Sequence, residues 1–193
     1  IKAREFVKNK LNDLVSADIF EESPLGSHFN APVHIIKKKP TFEGEEPRFR
    51  LCVDYSISNK YLEHNTFPIP SIRTIIDELS GAKLFSSLDL RSGFWNIKID
   101  EKSRDLLSFS VGDRQFRPKR LPMGLSISPG IFQRIMCTIC KPYLGKFTSV
   151  YLDDVLIYSK NEKDHLDHIE KVLKVSSDRL VFYRQVVPYF NLN

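Results

Sequence analysis

The chain has 193 residues, 41% of them hydrophobic, enough for one large domain or two small subdomains sharing a core. Lys and Arg number 29 against 24 Asp and Glu, a formal charge of +5 that favours a polyanionic partner without specifying one. Three cysteines exclude a disulfide framework and fit a reducing, intracellular setting. No apolar stretch approaches the roughly 20 residues that span a bilayer, so no membrane partner is expected. The first residue is Ile1 rather than Met, and we expect a processed product or an excerpt of something longer.

Phe6, Val7, Leu11, Leu14 and Val15 recur at helical spacing and predict an amphipathic helix, which Ser23-Pro24-Leu25-Gly26-Ser27 punctuates. Two β-type runs follow, Ala31 to Lys37 and Arg48 to Asp54. The Gly- and Pro-containing stretch Pro40 to Pro47 between them predicts a hairpin with a long tip. Asn65 to Pro70 is extended by its prolines. Ser71 is placed to cap a helix whose face is Ile72, Ile75, Ile76 and Leu79, and Gly81 ends it. Leu84 to Leu90 and Phe94 to Ile99 read as strands, as do Leu106 to Val111 and Gln115 to Arg117 around a Gly112-Asp113 turn. Ser128-Pro129 reads as a cap and first helical position, with Ile131, Phe132, Ile135, Met136, Ile139 and Cys140 as the buried stripe. Phe147 to Leu152 and Val155 to Ser159 flank Asp153-Asp154 as a hairpin with two acids at its tip. A last helix spans Asn161 to Lys174, with Leu166, Ile169 and Leu173 facing inward. Without strict βαβ alternation, this mixture predicts an α+β fold with helices on an antiparallel sheet.

Basic residues gather at Lys37-Lys38-Lys39, at Arg48 and Arg50, and at Arg114, Arg117, Lys119 and Arg120. Any one group alone also fits a solvated strand edge kept soluble by its charges. Cys137 and Cys140 form a C-x-x-C inside an apolar helical run and read as core packing. His165 and His168, beside Asp164 and Asp167, read as a solvated face.

Asp153 and Asp154 stand between apolar strands, where unpaired carboxylates are expensive unless a turn aims them at a cation. Taken alone, the pair also fits an ordinary Asp-rich turn. Asp89 adds a third acid at the end of an apolar strand, followed by Arg91-Ser92-Gly93, whose backbone amides could face an anion. Three carboxylates on two strand ends suit two Mg²⁺ ions, with Mn²⁺ as a substitute, clamping an in-line phosphoryl displacement.

Leu88 to Ile97, Leu121 to Gln133 and Tyr151-Leu152-Asp153-Asp154 resemble three successive motifs of reverse transcriptases. Pro32 to Lys39 and Arg50 to Tyr55 extend the resemblance to the fingers of long-terminal-repeat retrotransposons similar to the gypsy group. It covers about residues 1–174. The resemblance implies fingers over 1–66 and 97–127 and palm over 67–96 and 128–193, the end being atypical after 174, with thumb and ribonuclease H absent. It implies RNA-directed DNA polymerase activity, with Asp89, Asp153, Asp154 and the Leu90 carbonyl holding two metals. Ser92 and Gly93 would cradle the triphosphate, Lys38 and Arg50 would neutralise it, and Phe94 would exclude a 2′-hydroxyl. Gly124 would admit the template and Tyr151 support the primer end. Core packing is the competing reading of Phe94, and a solvated hairpin that of Lys38 and Arg50. Implied partners are an RNA or DNA template with primer, deoxynucleoside triphosphates and the remainder of a polyprotein carrying thumb, ribonuclease H and integrase. The implied setting is cytoplasmic, in a virus-like particle, or nuclear. Met123, Asn96 and Ser56 depart from the family pattern, and Val175 to Asn193 matches no primer grip. The second reading is therefore a non-catalytic nucleic-acid-binding remnant, while an RNA-dependent RNA polymerase is disfavoured by Phe94.

Overall fold

The helical spacing between Phe6 and Val15 produces α1 (Lys2–Ser16), and the chain then runs through β1 (Phe20–Glu22), β2 (Val33–Lys37), β3 (Phe49–Val53) and α2 (Ile72–Glu78). It continues as β4 (Leu84–Leu90), α3 (Glu101–Arg104), β5 (Phe109–Val111), β6 (Arg114–Pro118), α4 (Ser128–Cys140), β7 (Thr148–Tyr151), β8 (Asp154–Ser159), α5 (Glu162–Ser177) and β9 (Phe182–Tyr189). This computed structural model describes residues 2–23, 26–39, 49–62, 67–90, 92–177 and 182–189. Pro24 and Leu25, the tip Pro40 to Pro47 with Arg48, Asn65, Arg91 and tail residues 178–181 and 190–193 lie outside the described residues. The strand pairs within the three sheets are antiparallel, and the fold is α+β. Among the described residues no helix is long and apolar enough to cross a membrane.

The chain divides into two units that interleave along the sequence, residues 1–63 with 97–126 and residues 64–96 with 127–193. In the first, β2 and β3 form a hairpin registered from Val33↔Val53 to Lys37↔Phe49, and β1-β6-β5 form a separate sheet. Val7, Leu11 and Leu14 of α1 are buried, as are Phe20, Phe109 and Phe116, whose rings stack edge-on and face-on at 5.2 and 5.8 Å. Burial of such rings is the main source of stability here.

The basic group at the end of this unit is self-neutralised. Arg117 reaches Glu21 at 2.7 Å and Asp105 at 3.2 Å, and Arg104 reaches the same Glu21 at 3.1 Å. Lys119 and Arg120 both pair with Asp18, and Arg114 pairs with Glu22. These charges close β6 onto β1 and the residues beside it. Among the described residues Lys37, Lys38, Lys39 and Arg50 make no ion pair.

In the second unit the sheet order is β7-β8-β4-β9. Ser86, Leu88 and Leu90 of β4 and Val155, Ile157 and Ser159 of β8 are buried, the period-2 signature of one covered face. The helix α5 packs on β8 and β4, and α4 on β7. Phe132, Met136, Ile139 and Cys140 of α4 are buried, whereas Ile131 and Ile135 are only half so. Ser128 lies inside this helix rather than capping it; Ile127 holds the cap position, with Pro129 in the first turn. Ser71 does cap α2, accepting from the Thr74 amide. That helix leaves Ile72 and Ile76 more than 60% exposed, so its apolar face is not core among the described residues.

Two further expectations change. Phe94 to Ile99 is not a strand: Ser92 has φ 51°, the Trp95 amide donates to the Ser92 carbonyl at 2.8 Å, and Gly93–Asn96 wind into a 3-10 turn. His165 and His168 are half-buried, not solvated. His165 bonds Ser86 and Ser159 at 2.9 Å through its two ring nitrogens, and His168 bonds Ser159 at 2.8 Å while stacking on Phe147 at 3.7 Å. In contrast Leu166 is 64% exposed, its inward role taken by Val172.

Arg117→Ala strands Glu21 beside a single remaining arginine, and it is expected to destabilise the chain by about 2 kcal/mol. Lys119→Ala, at a more exposed pair, is expected to cost under about 1 kcal/mol. Urea midpoints of the two variants measure the difference.

Candidate active site

The apolar residues that fix the pairing of β4 with β8 also fix two acids. Leu88↔Val155 and Ser86↔Ile157 pair on the covered side, and the next step of the same register sets Asp89 opposite Asp154. Directly opposed residues in an antiparallel pair project to the same side, so the two carboxylates share the uncovered face. Tyr151 pairs with Asp154, leaving Leu152 and Asp153 as a two-residue turn, so Asp154 opens β8 instead of sitting at the tip. The first turn position takes φ 51° at Leu152, a conformation ordinarily given to glycine and costing a branched residue roughly 1–2 kcal/mol. The Leu90 amide donates to the Asp153 carbonyl at 3.3 Å, which draws the turn against the end of β4.

Asp153 is thereby placed among like charges. One of its carboxylate oxygens, Oδ1, is buried and accepts no hydrogen bond from the described residues. Burial, then the charges of Asp89 and Asp154, push its pKa above the ordinary carboxylate value. Burial and Asp89 push Asp154 in the same direction. Gly93 is required by space: a Cβ there would stand 2.8 Å from Cζ of Phe132 and 3.1 Å from Oδ1 of Asp153. Phe94 is half-buried with its ring on Phe132, centroids 5.0 Å apart. Ser92 is exposed, and Tyr151 is half-buried at the end of β7.

These residues fit a hard cation. The donors are all oxygens, and an orphaned carboxylate oxygen is the group a cation would satisfy. Among the described residues no three His, Cys, Asp or Glu side chains are grouped so as to hold a metal ion by themselves. Mg²⁺ does not require such a group, because it keeps several waters and is typically held by one or two carboxylates plus substrate phosphates.

The remaining candidate positions lie in the other unit. Lys38 is exposed just past β2. Arg50 is exposed on β3, with Nη2 3.7 Å from Sδ of Met123. Gly124 has φ 98°, and a Cβ would touch the Tyr55 ring and the Val53 carbonyl at 3.6 Å. Sequence reasoning missed Asn59, whose side chain donates to the Gly124 carbonyl at 3.0 Å and accepts from the Ser126 amide at 2.8 Å. An asparagine in a polar stretch carries no spacing signal, so only the fold shows that it laces this loop.

The reverse transcriptase (RNA-dependent DNA polymerase) family matches residues 36–181. The chain belongs to that family. It is 36% identical to the retrovirus-related Pol polyprotein from transposon gypsy of Drosophila melanogaster, over 96% of this chain and 18% of the polyprotein. It is 34% identical to that from transposon 412 of the same fly, over 96% and 15%. Among solved structures, the prototype foamy virus protease-reverse transcriptase superposes with a TM-score of 0.81 at 25% identity, covering 96% of this chain and 23% of that one. A foamy viral protease-reverse transcriptase in complex with an RNA/DNA hybrid gives 0.80 at 26%, covering 92% and 23%. The chain thus spans under a fifth of these two Drosophila polyproteins.

Because the folded reverse transcriptase chain retains protons on Asp153 and Asp154 where the unfolded chain has lost them, ionisation opposes folding. Stability falls as pH rises from the ordinary carboxylate pKa near 4 through the raised native values, and the full loss is present at neutral pH. Asp153→Asn is therefore expected to raise the melting temperature of the metal-free chain at pH 7.5. The gain should shrink toward zero near pH 4, as measured by thermal melts in chelator. An unchanged gain at both pH values would contradict the charge argument.

Proposed function

We propose that this chain is the polymerase core of an RNA-directed DNA polymerase, extending a primer's 3′ end with deoxynucleotides by two-metal nucleotidyl transfer. The observation that carries the reading is the register Asp89↔Asp154 with the unsatisfied Asp153 beside it, three acids gathered at one end of a sheet with no cationic side chain in ion-pair contact among the described residues. Asp89, Asp153, Asp154 and the Leu90 carbonyl would hold the cations. When bound, Mg²⁺, or Mn²⁺ in its place, supplies activation of the attacking oxygen and neutralises charge on the leaving group.

The other roles belong to the chain's own groups. Exposed Ser92 and the adjoining Gly93 offer backbone amides to the triphosphate, as turns of this kind do for anions. Phe94, its ring resting on Phe132, would exclude a 2′-hydroxyl by its volume. Lys38 provides a mobile point charge and Arg50 a planar fork for phosphate oxygens. Gly124, bare of a side chain and held by Asn59, admits a template backbone, and Tyr151 supports the primer end. The unit of residues 1–63 and 97–126 corresponds to fingers, and that of 64–96 and 127–193 to palm. Template–primer, deoxynucleoside triphosphates and the rest of a polyprotein are the partners this reading requires.

Primer extension on an RNA template with Mg²⁺ tests the reading, with the chain alone and with the chain followed by the downstream segment of its gypsy relative. Extension is expected in the longer form, and Asp89→Asn and Asp153→Asn are each expected to reduce it at least about a thousandfold, as removal of a principal electrostatic group does. Phe94→Ala is expected to admit ribonucleotides; an unchanged ratio of ribonucleotide to deoxyribonucleotide use would make Phe94 a core residue only. Binding of template–primer that weakens steeply with salt, without extension in either form, would favour the non-catalytic remnant.

A further inference from the structure

The Leu152 turn holds a left-handed conformation without glycine, so something outside the hairpin must maintain it. The group in place is the side chain of Gln133, on α4. It is fully buried, yet both halves of its amide are spent on the backbone of the acid hairpin. Its nitrogen Nε2 donates to the Val150 carbonyl at 2.8 Å, and its oxygen Oε1 accepts from the Leu152 amide at 2.7 Å. Only one orientation of the amide satisfies both bonds, so the side chain reads the turn as a neighbouring strand would. Its Nε2 also donates to Cys137 Sγ, one helical turn along, at 3.4 Å.

A buried amide costs free energy unless both ends are paired, and apolar packing alone would be served better by a leucine or methionine. One bond ends on Val150, near the end of β7, and the other on Leu152, in the turn immediately before Asp153, so the two bracket Tyr151. We propose that Gln133 is a positioning residue for the polymerase reaction: it fixes the Leu152 turn, and through it the direction of Asp153 and Asp154 toward a divalent cation. This rests on the metal-dependent reading above. Gln133 touches neither substrate nor metal, and its effect is on the affinity and geometry of the acids it aims.

Mn²⁺ binding followed by electron paramagnetic resonance tests the proposal without relying on activity. Gln133→Met keeps the volume and removes both hydrogen bonds. It is expected to weaken Mn²⁺ binding about tenfold or more, the range typical of groups that orient metal ligands. Gln133→Glu supplies a second handle. When protonated, its carboxyl can donate to Val150 and accept from Leu152 as the amide does, and when ionised it cannot donate. Its Mn²⁺ affinity relative to wild type is therefore expected to rise toward one as pH is lowered from 8 to 6. Methionine-variant affinity within twofold of wild type, with an intact thermal melt, would overturn the proposal. If that variant does not fold, a flat pH ratio for Gln133→Glu overturns it instead. Wild-type chain that binds Mn²⁺ no better than Asp153→Asn would bring down the metal reading first, and the role of Gln133 with it.

Discussion

Two carboxylates facing each other across an antiparallel pair are normally selected against, since like charges at opposed positions repel. Asp89 and Asp154 are held there because the other side of the same two strands is decided by hydrophobic burial. Leu88, Leu90, Val155 and Ile157 are all nearly inaccessible to solvent beneath the helices. A slip of one residue would carry those four to solvent and both acids into the core. The register is therefore enforced by several buried side chains against one unfavourable pair, and the magnitudes favour burial: each such side chain contributes about 1.5–3 kcal/mol, more than an exposed like-charge contact costs. The placement of the acids follows from the core and does not depend on a ligand being present.

The parts of this arrangement legible in the sequence are those that follow from apolar runs. Leu84 to Leu90 and Val155 to Ser159, with acids at or beside their ends, read as the two strands. Turns set by tertiary contact were not legible. Phe94-Trp95-Asn96-Ile97 alternates and is aromatic-rich, as strands are, but Gly93 must fit against Phe132 and Asp153, and the chain winds instead. Helix faces were read less well than strands. Leu166 has the spacing of a buried residue and is exposed, while Gln133 has the composition of a surface residue and is fully buried. The histidines at 165 and 168 misled because their serine partners lie on strands that the helix packs against, Ser86 far away in the sequence and Ser159 just before the helix.

Charge was similarly uneven in what it revealed. Net positive charge points to a polyanion, yet four of the nine clustered basic residues are committed to Asp18, Glu21, Glu22 and Asp105 within their own unit. The contact given by Arg117, only 13% exposed, is structural in the sense that its removal leaves a partly buried carboxylate under-neutralised. The triple lysine at 37–39 sits on a hairpin whose outward residues, including Ile35 and Ile36, are open to solvent. On the proposed reading, a phosphate backbone would displace the counterions of those lysines, and that exchange would make binding salt-sensitive. A count of Lys and Arg therefore overstates the basic charge left for a polyanion.

The second unit concentrates unfavourable terms at one end of its sheet: a left-handed leucine, opposed acids, an unsatisfied carboxylate oxygen, and a glycine with no space for a methyl group. Any one is tolerable, and together they would be expected to loosen an isolated hairpin. They persist because the strands leading into them are locked on the covered face, while α4 sets Phe132 against Gly93 and Phe94 and bonds Gln133 to the turn. Every one of these costs is electrostatic or steric toward the same small region, and a divalent cation would relieve the electrostatic part directly. On the proposed metal-dependent reading the site would be less stable empty than filled, and the free energy released on filling would be available to hold the reacting groups in line.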